Sequence, residues 1–278
     1  MPQYSAVLFD LYGTLVDIRT DESSERAWTA LCDALAIECG ALYPSNEALR
    51  ERFETLASPV RAAAENAHGE WGEPDLLPVY QGLTARAARR STLREALRQA
   101  DGAAGAGGIP DGISGDVAAD VADVSVARRL AWTFRRASTS VLRLYPSALE
   151  LLDRLKAAGL RVVLVSNAQS CYTRPELGLL GLDDAFDRIL ISSEEGVRKP
   201  SPDIFRRALA REGLRPDQVV MVGNDSVSDI AGARAAGIDG IYLRTAISPP
   251  DDPDVCPEAV LSLTGADYAG LVRFLGVQ

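Results

Sequence analysis

Apolar residues run along the chain in two rhythms. Residues 6–10 read AVLFD, four apolar residues closed by a carboxylate, with the turn Gly13-Thr14 just beyond. The run is too short for a helix and a turn bounds it, so it predicts a buried strand. From about residue 21 to 144 no run predicts a strand. Four helices are predicted there, at 22–38, 46–67, 76–100 and 124–144. The first has apolar residues near Trp28, Leu31, Leu35 and Ala36, the second at Leu49, Phe53, Leu56 and Val60. Spacings of three and four mark a helix with one buried face, and Ser45 is placed to cap the second. From Pro146 the rhythm alternates. Helices are predicted at 147–158, 176–180, 202–211, 227–236 and 268–275, and strands at 161–165, 188–191, 218–222 and 240–243.

Strands alternating with helices imply a parallel sheet covered on both faces. The predicted fold is therefore an α/β core built from residues 1–17 and 145–278. An all-helical insertion, 18–144, follows the first strand. Within it DGAAGAGGIPDGISGD, residues 101–116, is rich in glycine and predicts a mobile loop without chemistry of its own.

Composition narrows the partners. The 278 residues, 47% hydrophobic and 24% charged, suit a soluble globular protein, and the formal charge of -10 without a basic stripe argues against nucleic acid. No apolar run approaches the roughly 18 residues a bilayer span needs. The start of the chain lacks a charged segment followed by an apolar core. Cys32, Cys39, Cys171 and Cys256 fit no metal or redox spacing. The expectation is a cytoplasmic protein that does not engage a membrane. Of 29 basic residues only Lys156 and Lys199 are lysine, which makes each conspicuous.

In a parallel sheet, ligands sit at the carboxyl ends of the strands. There the sequence puts Asp10, then Ser166 and Asn167, then Lys199, then Asp225 with Asp229 four residues on. Asp10 is the candidate nucleophile, since an aspartate can form a covalent intermediate that water cleaves. Ser166 can donate to an anionic oxygen, and Lys199 can hold the same anion. Clustered carboxylates repel unless a cation joins them, and hard oxygen ligands suit Mg²⁺. The competing reading makes Asp10 a turn residue and Asp225 and Asp229 a helix-capping pair. His68 is the only histidine and lies in the insertion, so no Ser/His/Asp triad is credible. Trp28, Trp71 and Trp132 read as packing residues, although Trp71, Arg26, Arg50 and Arg52 remain candidates for lining a cleft.

The stretches DLYGTLVD, VVLVSN, VRKPSPDIF and VGNDSVSDIAGARAAG resemble, in order, the four motifs of the haloacid dehalogenase superfamily. The resemblance implies a Rossmann-like core with a C1-type helical cap. It implies Asp10 as nucleophile, Ser166 and Lys199 as the second- and third-motif groups, and Thr14, Ser166, Asn167 and Lys199 as substrate-binding residues. It implies Mg²⁺ held by Asp10, the Tyr12 carbonyl and the acidic fourth motif, Asp225 and Asp229. Asn224 follows Gly223 and competes with Asp225 for the first acidic position. Tyr12 departs from the phosphatases, which carry there an aspartate that protonates the leaving alcohol. A tyrosine resembles the metal-independent 2-haloacid dehalogenases, whose halide needs no proton. Phe205 in turn stands where those enzymes have a tyrosine. Phosphonate hydrolases use a cap lysine, and residues 18–144 contain none. The reading that follows is a Mg²⁺-dependent phosphatase acting on a small anionic metabolite, favouring acyl or aryl phosphates. A 2-haloacid dehalogenase and a binding or regulatory protein of the same fold are the alternatives.

Overall fold

A computed structural model describes residues 4–84 and 116–277; of 116–123 it describes the backbone alone. The loop expected at 101–116 lies outside the described residues, apart from Asp116, which opens a helix.

The described chain forms two compact units. The first holds residues up to Thr20, Arg61–Asp75, and everything from Thr139 on; the second holds Asp21–Val60 and the described part of Leu76–Ser138. Residues 61–75, expected in the helical insertion, thus belong to the α/β unit.

Six parallel strands make the sheet of the first unit: β1 (Ala6–Phe9), β4 (Arg161–Ser166), β5 (Arg188–Ile191), β6 (Val219–Gly223), β7 (Asp239–Arg244) and β8 (Leu261–Thr264), in the order β5-β4-β1-β6-β7-β8. Side chains alternate across it. Val7, Phe9, Val162, Leu164, Val220 and Val222 join the core on one face, under α5 (Ala148–Ala157) and α10 (Tyr268–Phe274). Ala6, Leu8, Val163, Val165, Val219 and Met221 join the core on the other, with Ile204, Phe205 and Ala208 of α8 (Pro202–Glu212). Both faces are dry, which is why these strands read as unbroken apolar runs. α6 (Ser170–Leu179), α7 (Ser192–Glu195) and α9 (Gly232–Ala235) complete the layers.

Several predicted elements are corrected. The helix expected to reach residue 144 ends as α4 at Ser138, and Thr139–Leu144 is a strand, β3. It pairs antiparallel with β2 (Val16–Thr20). The β-branched Thr139 and Val141 favour the strand. β8 was not predicted because LSLT is short and polar. The helix expected at 227–236 begins as a π-helical turn, Ser226–Ala231.

The second unit contains α1 (Glu25–Cys39), the first part of α2 (Asn46–His68), a helix at 77–84 that we label α3, and α4 (Asp116–Ser138). Its core is aromatic: Trp28 meets Phe53 and Phe134 edge-on at 5.6 and 5.1 Å, and Phe53 meets Tyr80 at 5.5 Å. Among the described residues no helix is long and apolar enough to cross a membrane.

Candidate active site

β1 lies at the centre of the sheet, where the strand order reverses, and Asp10 follows its last residue. The Asp10 amide donates to the Val222 carbonyl at 3.0 Å, tying it to the end of β6. A chain turning away here must leave sharply. Gly13 does so at φ 91°, and a β-carbon on it would lie 2.2 Å from the Asn224 side chain. Thr245 donates to the Gly13 carbonyl at 2.8 Å and Tyr268 to the Thr14 carbonyl at 2.7 Å, which fixes the turn from below.

Lys199 is the centre of the charge pattern. Its Nζ donates at 2.7 Å to Asp10 Oδ1 and at 2.7 Å to Asp229 Oδ1. All three are buried. Burial alone would lower the lysine's pKa, but the two carboxylates more than reverse that and raise it. Asp229 is pushed up to about 7, first by burial and then by the negative charge of Asp10, against the pull of Lys199. Its second oxygen accepts from the Asp225 amide at 3.0 Å. Asp229 fits because Gly223 has no side chain; a β-carbon there would sit 2.2 Å from its carboxyl carbon.

Several of the predicted site residues also hold the backbone around the site. Asn167 was expected to bind substrate. It lines the cavity beside Asp10, and its amide brackets the Lys199 backbone, donating to the carbonyl at 2.9 Å and accepting from the amide at 2.8 Å. Asp225 was expected at a metal. Its Oδ1 accepts from the Val227 and Ser228 amides at 2.9 and 2.7 Å and its Oδ2 from the Ser228 hydroxyl at 3.0 Å, so it caps the π-helical turn. The capping pair weighed against a metal role is thus half correct, since Asp229 serves Lys199. The Tyr12 phenol turns to α6, where it hydrogen-bonds with Thr173 at 2.9 Å and donates to buried Glu176. Neither Thr173 nor Glu176 stood out in the sequence, because both sit in an ordinary helix pattern.

Asn224 occupies the place the fourth motif left open. Its buried side-chain amide lies against Asp10 Oδ2 (3.3 Å), the Tyr12 carbonyl (3.0 Å) and Thr14 Oγ1 (3.3 Å). With nitrogen facing these oxygens, it donates to them. With oxygen there, three oxygens converge with no proton between the amide, Asp10 and Tyr12. Among the described residues no group of three or more His, Cys, Asp or Glu side chains is placed to hold a metal ion. Any ion here would therefore rely on one carboxylate, one carbonyl and one amide. A cavity of about 210 Å³ opens onto this cluster, lined by Asp10, Tyr12, Lys199, Asn224, Asp225 and Asp229 among others. Ser166 Oγ is buried at the end of β4 without a hydrogen-bond partner among the described residues. An unmet buried donor costs about 1–3 kcal/mol.

Asp10 thus sits at the end of the central strand, clamped by a buried lysine beside a small polar cavity. The chain belongs to the haloacid dehalogenase-like hydrolase family, whose model matches residues 4–237. It is 36% identical over 132 residues to a phosphoserine phosphatase of Thermus thermophilus, covering 48% of this chain and 52% of that protein. It is 34% identical over 116 residues to a glyceraldehyde 3-phosphate phosphatase of Methanothermobacter thermautotrophicus, covering 42% and 51%. The chain thus spans about half the length of the curated relatives it matches. A solved 2-haloacid dehalogenase from Pseudomonas syringae pv. Tomato shares the fold, with a TM-score of 0.60 at 21% identity over 98% of both chains.

Proposed function

We propose that the protein is a Mg²⁺-dependent phosphatase that passes the phosphoryl group of a small anionic substrate to Asp10 and then to water. The observation that carries this is the Asn224 amide lying 3.3 Å from Asp10 Oδ2 and 3.0 Å from the Tyr12 carbonyl. With the amide oxygen turned inward, these are hard donors spaced as neighbouring ligands of one small cation. Bound there, Mg²⁺ would offset the charge of the phosphoryl oxygens. The phosphatase names of the two relatives point the same way.

The chain's own groups supply the rest. An Asp10 oxygen attacks phosphorus, the bond to the leaving oxygen breaks, and a phospho-aspartate forms. Lys199 balances the incoming anion, and the unpartnered Ser166 hydroxyl supplies a donor for a phosphoryl oxygen. Water then cleaves the acyl phosphate and restores the carboxylate. The Tyr12 phenol is engaged by Glu176 and Thr173, so it supplies no proton to the leaving group. Losing such an acid costs about 10²–10⁴-fold for a poor leaving group. Acyl and aryl phosphates, whose leaving groups need little protonation, are the substrates this geometry favours.

The test is turnover of p-nitrophenyl phosphate with Mg²⁺ and with EDTA. EDTA should abolish it, and so should Asp10→Asn; activity that survives either change would overturn the proposal.

One observation favours a second reading. With its nitrogen inward, Asn224 satisfies Asp10 and Tyr12 without any ion. That arrangement suits a metal-independent 2-haloacid dehalogenase, and EDTA-resistant chloride release from 2-chloropropionate would establish it.

A further inference from the structure

A second cavity, of about 450 Å³, adjoins the first and shares Asn167, Lys199 and Ser228 with it. Its far wall comes from Trp71, Glu73, Gln169 and Arg198. The backbone builds this wall. Gly72 bridges antiparallel to Val197, the Glu73 amide donates to the Gly196 carbonyl at 3.0 Å, and the Arg198 amide donates to the Trp71 carbonyl at 2.9 Å. Segment 69–75 is thereby zipped to the strand-end loop that carries Lys199, and all of it lies in the α/β unit.

The polar groups of the wall are unequally engaged. Glu73 is largely buried; its Oε1 accepts from Gln169 at 2.9 Å, and its Oε2 stands 3.9 Å from Arg198 Nη1, beyond hydrogen-bond reach. Burial raises the Glu73 pKa despite Arg198 and Gln169. Arg198 is half-exposed. Its Nη2 donates to the Glu70 carbonyl at 3.2 Å, and its Nε and Nη1 donate to nothing among the described residues. The Glu73 carboxylate is thus only a distant ion-pair partner, and the Nε and Nη1 N–H groups of this cavity-lining arginine have no acceptor among the described residues. A guanidinium with N–H groups left unengaged can donate charge-assisted hydrogen bonds to the oxygens of a second carboxylate or phosphate. The Trp71 indole offers an apolar wall to the carbon skeleton between the two anions.

We infer that this cavity is a leaving-group subsite, and that it selects phosphate substrates whose leaving group carries a second anionic group, bound by Arg198. The inference rests on the phosphatase reading of Asp10.

The matched pair for the test is phenyl phosphate and 4-carboxyphenyl phosphate, which differ by one carboxylate. The wild-type protein should prefer the carboxylated ester in kcat/KM by about tenfold or more, the worth of one charge-assisted hydrogen bond. Arg198→Gln should erase that preference, and Arg198→Lys should restore part of it. A general disturbance of the loop would lower both substrates together and leave their ratio unchanged. Replacing the carboxylate by phosphonate separates the two anion classes by their relative rates. Equal rates in the wild type, or a preference that persists in Arg198→Gln, would overturn the inference. So would a preference for 4-(aminomethyl)phenyl phosphate, which would make Glu73 the recognising group. If neither ester turns over, the phosphatase reading fails by itself. The pair is then compared by calorimetric binding to wild type and Arg198→Gln, with the same two results deciding.

Discussion

Asp10 and Asp229 share one lysine, and the three buried groups stand or fall together. Removing Lys199 leaves two carboxylates in a dry site, and breaking a buried pair this way costs about 3–5 kcal/mol. Lys199→Met should therefore lower the denaturation midpoint strongly as well as end turnover; a variant of wild-type stability would show that the bridge to Asp10 and Asp229 does not form. In the proposed phosphatase, Asn224 is a ligand of the cation. Asn224→Asp adds a charged oxygen beside Asp10 Oδ2, so it should tighten Mg²⁺ binding by about tenfold or more in a calorimetric titration. Unchanged affinity would mean that Asn224 does not face the ion. At this scale the sequence was partly legible. Asp10 and Lys199 were conspicuous because one closes an apolar strand and the other is a rare residue type. The backbone-holding bonds of Asn167 and Asp225 were not legible, because a polar residue at a strand end reads the same whether it faces ligand or holds the backbone.

β6 and the π-helical turn after it show how an element positions a site. Gly223 ends the strand, and Asp229 folds back over it so closely that a methyl group has no room. Gly223→Ala should displace Asp229 and cost about 3 kcal/mol, as overpacking of a tight contact does; a thermal melt within a degree of wild type would contradict the packing described here. The turn between β1 and β2 is held from the side of α6 by the Tyr12 phenol. Tyr12→Phe removes a hydrogen bond to a carboxylate, worth about 1.5–3 kcal/mol. It should lower stability while changing p-nitrophenyl phosphate turnover far less than Asp10→Asn does. A loss as deep as that of Asp10→Asn would return the phenol to the chemistry. Five of the six sheet strands were legible as short apolar runs bounded by turns. β2, β3 and β8 were not, because each is only partly buried and its alternation is too short to separate from a helix end.

The α/β unit carries Asp10, Lys199 and the adjoining cavity, and residues 61–75 reach it from within the sequence of the insertion. That placement was illegible because WGEP reads as a loop between helices, and only its pairing with Val197 and Arg198 reveals where it lies. The arrangement leaves a mark on stability. Glu73 has its pKa raised by burial, so the folded protein holds that proton to higher pH than the unfolded chain does. Folding then loses stability as pH rises out of the ordinary carboxylate range through the raised value. Glu73→Gln should flatten that part of the pH–stability profile in thermal melts, and an unchanged slope would show that Glu73 is not the titrating group.

The most direct measurement is mass spectrometry of the protein quenched in acid during turnover of acetyl phosphate. The account predicts a phosphoryl adduct on the peptide bearing Asp10 when Mg²⁺ is present, and none with EDTA or in Asp10→Asn. Turnover that proceeds with Asp10 unmodified would contradict it.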